Sequence, residues 1–121
     1  MRKPTPPTTT ITFDADGKVL GRLASQVAVA LRGKNLPSFR PDVISGGKVI
    51  VTNASGIRVT GSKATDKMYA HFSGYPGGLR LTSFREKLKA DPVGLFTLAV
   101  KRMLPDNRTR KILLTRLTVK P

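Results

Sequence analysis

The spacing of apolar positions changes several times along the chain, and each change marks an element. Ile11-Thr-Phe-Asp-Ala15 alternates apolar and polar side chains and then meets Asp16-Gly17, the pattern of a short strand ending in a turn. From Leu20 the period lengthens. Leu20, Leu23, Ala24, Val27, Ala28 and Leu31 recur at intervals of three and four, which puts them on one helical face, and Gly33 stands where a C-terminal cap belongs. Residues 36–45 show no period and predict an irregular connection. After Gly46-Gly47 comes Lys48-Val-Ile-Val-Thr-Asn53, whose adjoining Val49, Ile50 and Val51 predict a strand covered on both faces. Strand, helix and strand in succession form a βαβ unit with a parallel, right-handed crossover.

Ile57-Arg-Val-Thr60 places Ile57 and Val59 on one face of a further short strand. Ser83-Phe-Arg-Glu86 has capping-box spacing and predicts a short helix ending near Asp91. Asp91-Pro92 then supplies an N-cap and a first helical residue. The helix it starts runs to about Leu104 and carries Leu95, Phe96, Leu98, Ala99, Val100 and Met103, apolar around most of its circumference and so expected to pack on two sides. Pro105 breaks it. Asp106 or Asn107 can cap another helix toward Leu114, and residues 115–119 form the last strand candidate.

Composition narrows what such an α/β chain can do. Its 121 residues fit a single domain over residues 11–121. Residues 1–10, rich in proline and threonine and without apolar period, are expected to be a flexible basic tail. Lysine and arginine number 22 against seven acids, a net charge of +15, which is self-repulsive in a compact body unless a polyanion neutralises it. A nucleic acid is the natural partner. No apolar run approaches the roughly 20 residues that span a membrane, and no secretory segment is apparent. Cysteine is absent and His71 is the only histidine, which leaves little material for metal or hydrolytic chemistry. Where a dinucleotide fingerprint would follow the first strand the chain has Asp14-Ala-Asp-Gly-Lys-Val19, and no phosphate-binding loop of the Walker type occurs. Neither a cofactor nor a small-molecule substrate is expected, and an enzyme built on the βαβ unit is disfavoured.

The candidate binding residues fall in three groups. Residues 67–80 combine three aromatics with glycines and a proline, the composition of a displayed loop. There Tyr69, His71 and Tyr75 offer faces to bases or sugars, Gly77 and Gly78 permit close backbone approach, and Lys67 and Arg80 supply charge. Arg22 and Arg32 lie off the apolar stripe of the first helix and, with Lys34, Arg40 and Lys63, can face phosphates. The densest positive segment holds Lys101, Arg102, Arg108, Arg110, Lys111 and Arg116 against Asp106 alone, too few opposite charges for an ordinary solvated helix.

His71-Phe-Ser-Gly-Tyr-Pro-Gly-Gly-Leu-Arg80 closely resembles the signature loop of the thirteenth protein of the large ribosomal subunit in its bacterial-type form. Leu20-Gly-Arg-Leu-Ala-Ser25, Leu31-Arg-Gly-Lys34, Val49-Ile-Val-Thr-Asn-Ala54, Val59-Thr-Gly-Ser-Lys63 and Met103-Leu-Pro-Asp-Asn107 resemble that family's landmarks, in its order. The resemblance implies a three-layer α/β/α fold around a mostly parallel sheet of about four strands, with long basic loops. It further implies a structural and assembly role on large-subunit ribosomal RNA beside neighbouring ribosomal proteins, in a cytoplasmic or an organellar ribosome, and no enzymatic activity. A free-standing nucleic-acid-binding protein is the alternative. The chain departs from the family at Arg102 and near Thr109, where glycine is usual, and near Ile44 and Gly47, where acids are usual. The family's short tail after the last strand is also missing.

Overall fold

A computed structural model describes residues 9–37, 39–41, 44 and 46–121. The expected tail over residues 1–8 therefore lies outside the described residues. Its last two positions behave otherwise than expected: Thr10 opens strand β1 (Thr10–Asp14), and the Thr9 carbonyl accepts from the Lys48 N–H at 2.8 Å. β-branched threonines suit a strand, and the sheet extends to them.

Helix α1 (Leu20–Arg32) follows, closed by Gly33 in the left-handed region at φ 78. A non-glycine residue is strained there, and the Gly33 N–H caps the carbonyls of Val29 and Ala30. Strand β2 (Lys48–Thr52) then pairs with β1 in parallel, Ile11 opposite Val49 and Phe13 opposite Val51, so the βαβ order read from periodicity is present. Val49 and Val51 are fully buried while Ile50 is half-buried, so the two faces of β2 are covered unequally. The last strand, β5 (Leu117–Val119), pairs in parallel with the other edge of β2. Among the described residues the parallel sheet therefore has three strands in the order β1-β2-β5, where about four were expected.

The missing fourth strand is the segment after Asn53. A single 3-10 turn at Ala54–Gly56 leads to Arg58, which makes one isolated parallel bridge with Val19. The Arg58 N–H donates to the Lys18 carbonyl, and the Arg58 carbonyl accepts from the Leu20 N–H. Pairing stops there because its partner turns into α1.

A one-turn helix, α2 (Lys63–Asp66), precedes the largest departure from expectation. The supposed loop is a two-stranded antiparallel ribbon, β3 (Met68–Phe72) and β4 (Leu79–Ser83), with only residues 73–78 as its tip. Gly77, at φ 76, turns the tip, and a Cβ at Gly78 would strike Ser73 Oγ. Register puts Met68, Ala70 and Phe72 across from Ser83, Leu81 and Leu79 on one face, with Tyr69 and His71 across from Thr82 and Arg80 on the other. Met68, Phe72, Leu79 and Leu81 are exposed, so the ribbon carries an open apolar face.

Beyond the ribbon two of the three expected caps are in place. Ser83 Oγ accepts from the Glu86 N–H to start α3 (Phe84–Ala90), and Asp91 Oδ1 accepts from the Gly94 N–H to start α4 (Pro92–Met103). The third, expected at Asp106 or Asn107, is not: the N-cap of α5 (Thr109–Thr115) is Arg108, without a side-chain cap, and Asn107 Oδ1 accepts from the Thr109 N–H and hydroxyl just ahead of it. Leu95, Phe96 and Val100 of α4 are fully buried and join Leu23, Ala24, Val27 and Leu31 of α1 in one core with Val49 and Val51. Burying a leucine or phenylalanine is worth about 1.5–3 kcal/mol, so the α1–α4 seam is a principal source of stability. Helix α4 also contacts α3, α5, β5 and the 3-10 turn, as its apolar circumference predicts, and its half-buried Leu98 and Ala99 line an open groove with the exposed Met103.

Candidate nucleic-acid interface

The groove lies where the first turn of α1, the residues around Val59, α2, β3 and the last turn of α4 meet. It encloses about 400 Å³. Val59, Leu98, Ala99 and Met103 form an apolar floor. Arg22, Lys63, Lys67 and Arg102 stand around it, and among the described residues no acid lines it. These four cations come from positions 22 to 102, and the fold alone brings them together. Like charges gathered without counter-ions raise a local positive potential, focused by the low-dielectric floor.

Tyr69 completes the wall. Its ring lies 5.6 Å from the Lys67 ammonium and 5.4 Å from that of Lys87, measured to the ring centroid, a cation–π arrangement that holds both lysines nearby. Burial pushes the Tyr69 phenol up from its ordinary pKa, with Arg102 pulling weakly against it. The phenol therefore stays neutral and keeps its proton to donate. With two ammonium groups already at the ring, Tyr69 is not the open stacking platform expected of it. Lys87 had no signal in the sequence, since its approach to Tyr69 requires the ribbon to fold beside α3.

Gly21 on the groove wall falls within the Leu20–Ser25 stretch that resembles a family landmark, but is not singled out there as a site residue. It is the second residue of α1, in the first turn, where glycine costs less than the roughly 0.5–1 kcal/mol relative to alanine of a helix interior.

A second depression of about 300 Å³ adjoins the first, with Met103 common to both, and is lined by Ser25, Ala28, Val29, Arg32 and Lys34. Arg32 is half-buried with its guanidinium 5.6 Å from the Phe39 centroid, and Lys34 is exposed. Arg40 is exposed in the connection that follows. His71 and Arg80 are directly paired and exposed on the ribbon, while Tyr75 and Gly77 are exposed at its tip and Gly78 is half-buried there.

The segment from residue 101 to residue 116 does not act as one cluster. Lys101, Arg108 and Lys111 are exposed. Arg110 is half-buried, with its guanidinium donating to the carbonyls of Pro105 and Leu104 and lying 3.4 Å from Asp106. Arg116 is only 7% exposed, and its Nη1 donates to the Gly46 carbonyl at 2.6 Å. Burial lowers its pKa, yet a guanidinium stays charged at neutral pH. The geometry reassigns Arg116 from the surface to the interior, where it ties the start of β5 to the turn before β2. Gly46 is itself pressed on α1, because a Cβ there would run into the Leu31 carbonyl.

Fold and surface together define a small, strongly cationic α/β domain. Among the described residues no cluster of histidine, cysteine or carboxylate side chains could hold a metal, and no helix is long and apolar enough to cross a membrane. The sequence model of ribosomal protein L13 matches residues 8–120, and the chain belongs to that family. It is 50% identical over 106 residues to the large ribosomal subunit protein uL13 of Symbiobacterium thermophilum, covering 88% of this chain and 74% of the relative. Identity to the protein of the same name from Pseudothermotoga lettingae is 56% over 92 residues, 76% of this chain and 63% of the relative. The uL13 of Chloroflexus aurantiacus is 48% identical over 107 residues. The family is one of structural ribosomal proteins rather than enzymes.

Proposed function

We propose that the protein is a structural constituent of the large ribosomal subunit that binds and stabilises large-subunit ribosomal RNA and supports subunit assembly. Membership of the L13 family supports the ribosomal role. The observation that carries RNA binding is the convergence of Arg22, Lys63, Lys67 and Arg102 on one groove that no acid lines among the described residues. Its work is binding and not catalysis. Lys34, Arg40, Lys101, Arg108 and Lys111 extend the phosphate-facing surface, the ribbon tip around Tyr75 reaches into RNA crevices, and neighbouring ribosomal proteins share the site. The supporting body is the three-layer domain that the resemblance implies, with a ribbon in place of a long loop.

Two measurements test this. In sucrose gradients of cell extract the protein stays with the large subunit at moderate salt, whereas appearance in free or nucleoid fractions would favour a free-standing nucleic-acid binder. For binding to a large-subunit RNA fragment, neutralising about six phosphates gives a slope of log K against log salt on the order of −4 to −5. A slope near zero would remove the electrostatic basis of the proposal.

A further inference from the structure

Nothing in the fold requires a glycine at position 21. Its backbone is ordinary helix, with φ outside the left-handed region, and a Cβ built on it would meet no atom within 4 Å beyond its chain neighbours and the backbone of its own helix. It is exposed, and the space before it is the groove. A glycine with room to be larger, on the wall of a groove, leaves that groove open to something that enters from outside.

The shape and lining of the groove narrow what that is. Four cations on the rim call for an anion, and the floor of Val59, Leu98, Ala99 and Met103 calls for an apolar surface within the same ligand. A double-stranded RNA helix presents phosphates and sugars on a convex surface and keeps its bases stacked inside, so it can satisfy the rim and leave the floor empty. An unstacked nucleotide carries both parts at once. The cavity of about 400 Å³ falls in the lower part of the roughly 300–1,000 Å³ range of small-ligand sites. Met103 also lines the second depression, with Arg32 and Lys34, so a strand leaving the groove finds further cations across one side chain.

We infer, resting on the RNA-binding function proposed above, that the groove over Gly21 holds a single unstacked nucleotide of RNA. Its phosphate lies among Arg22, Lys63, Lys67 and Arg102 and its base lies on the apolar floor, with the strand continuing over Met103 toward Arg32 and Lys34.

The test uses the full chain and two probes: a uridine-rich oligoribonucleotide carrying one 2-aminopurine, and the same strand annealed to its complement. The wild-type protein is expected to prefer the single strand and to change its 2-aminopurine fluorescence. Gly21→Phe fills the groove without altering charge. It should weaken single-strand binding by about tenfold, the scale of one lost base contact, and abolish the fluorescence change, while duplex binding and the salt slope persist. Gly21→Ala should bind nearly as the wild type and melt at an equal or higher temperature. Should Gly21→Phe fail to fold, Thr60→Trp enters the same groove from an exposed rim position and should give the same loss. Wild-type single-strand affinity in a folded, groove-filled variant overturns the inference. Equal, salt-dependent binding of both probes by the wild-type protein overturns it too, and leaves RNA binding intact. Failure of the wild-type protein to bind either probe strikes at RNA binding itself.

Discussion

Four cations near the C-terminus look alike in the sequence and differ in what surrounds them. Arg108 and Lys111 face solvent, Arg110 closes the turn after α4, and Arg116 is buried against the Gly46 carbonyl. Replacing Arg116 by leucine removes the donor and leaves a buried carbonyl unsatisfied, which costs about 1–3 kcal/mol. The melting temperature should fall by several degrees for a domain of this size. The salt slope of RNA binding should not change, and a slope shallower by about one would return Arg116 to the phosphate-binding set. Asp14 makes a gentler tie: hydrogen bonds from the Asn53 side chain and then the Asp16 N–H hold its carboxyl below the ordinary pKa, joining the ends of β1 and β2.

At the scale of elements, α5 permits a separation of charge from fold. Arg108→Gln with Lys111→Gln removes two exposed charges, while Arg110 keeps its carbonyl partners and Leu113 stays in the core. Thermal unfolding of the double variant should match the wild type within about 0.5 kcal/mol, and RNA affinity should drop. Unfolding without loss of affinity in the folded fraction would make these residues structural. Elements with local punctuation were legible beforehand: Gly33, Ser83 and Asp91 each mark a helix end through contacts within four residues, and the α1 stripe declares its buried face. The ribbon was not. Its alternation of Met68, Ala70 and Phe72 is clear only once β4 is opposite, because an exposed pair has no core to impose a pattern. Arg22, Lys63, Lys67 and Arg102 were each legible as candidates, but their meeting depends on how α1, α2, β3 and α4 pack. Residues 57–60 show the converse, a strand-like run whose neighbour ends after one bridge.

For the whole molecule, charge and the ribbon's apolar face act against each other. A net charge of +15 keeps free copies apart, while Met68, Phe72, Leu79 and Leu81 lie open on a two-stranded ribbon. At about 1 M salt the screening length falls to about 3 Å and that repulsion is lost. Sedimentation should therefore show a monomer at low salt and association at high salt, suppressed by Phe72→Thr with Leu81→Thr. A wild-type protein that stays monomeric in high salt would mean the face is too small to adhere. The order β1-β2-β5 also sets a timetable for synthesis. The middle strand is made early and finds its first partner behind it, yet its second partner is residues 117–119. Throughout translation β2 waits with one edge bare until residues 117–119 have been made, and only then can the sheet close.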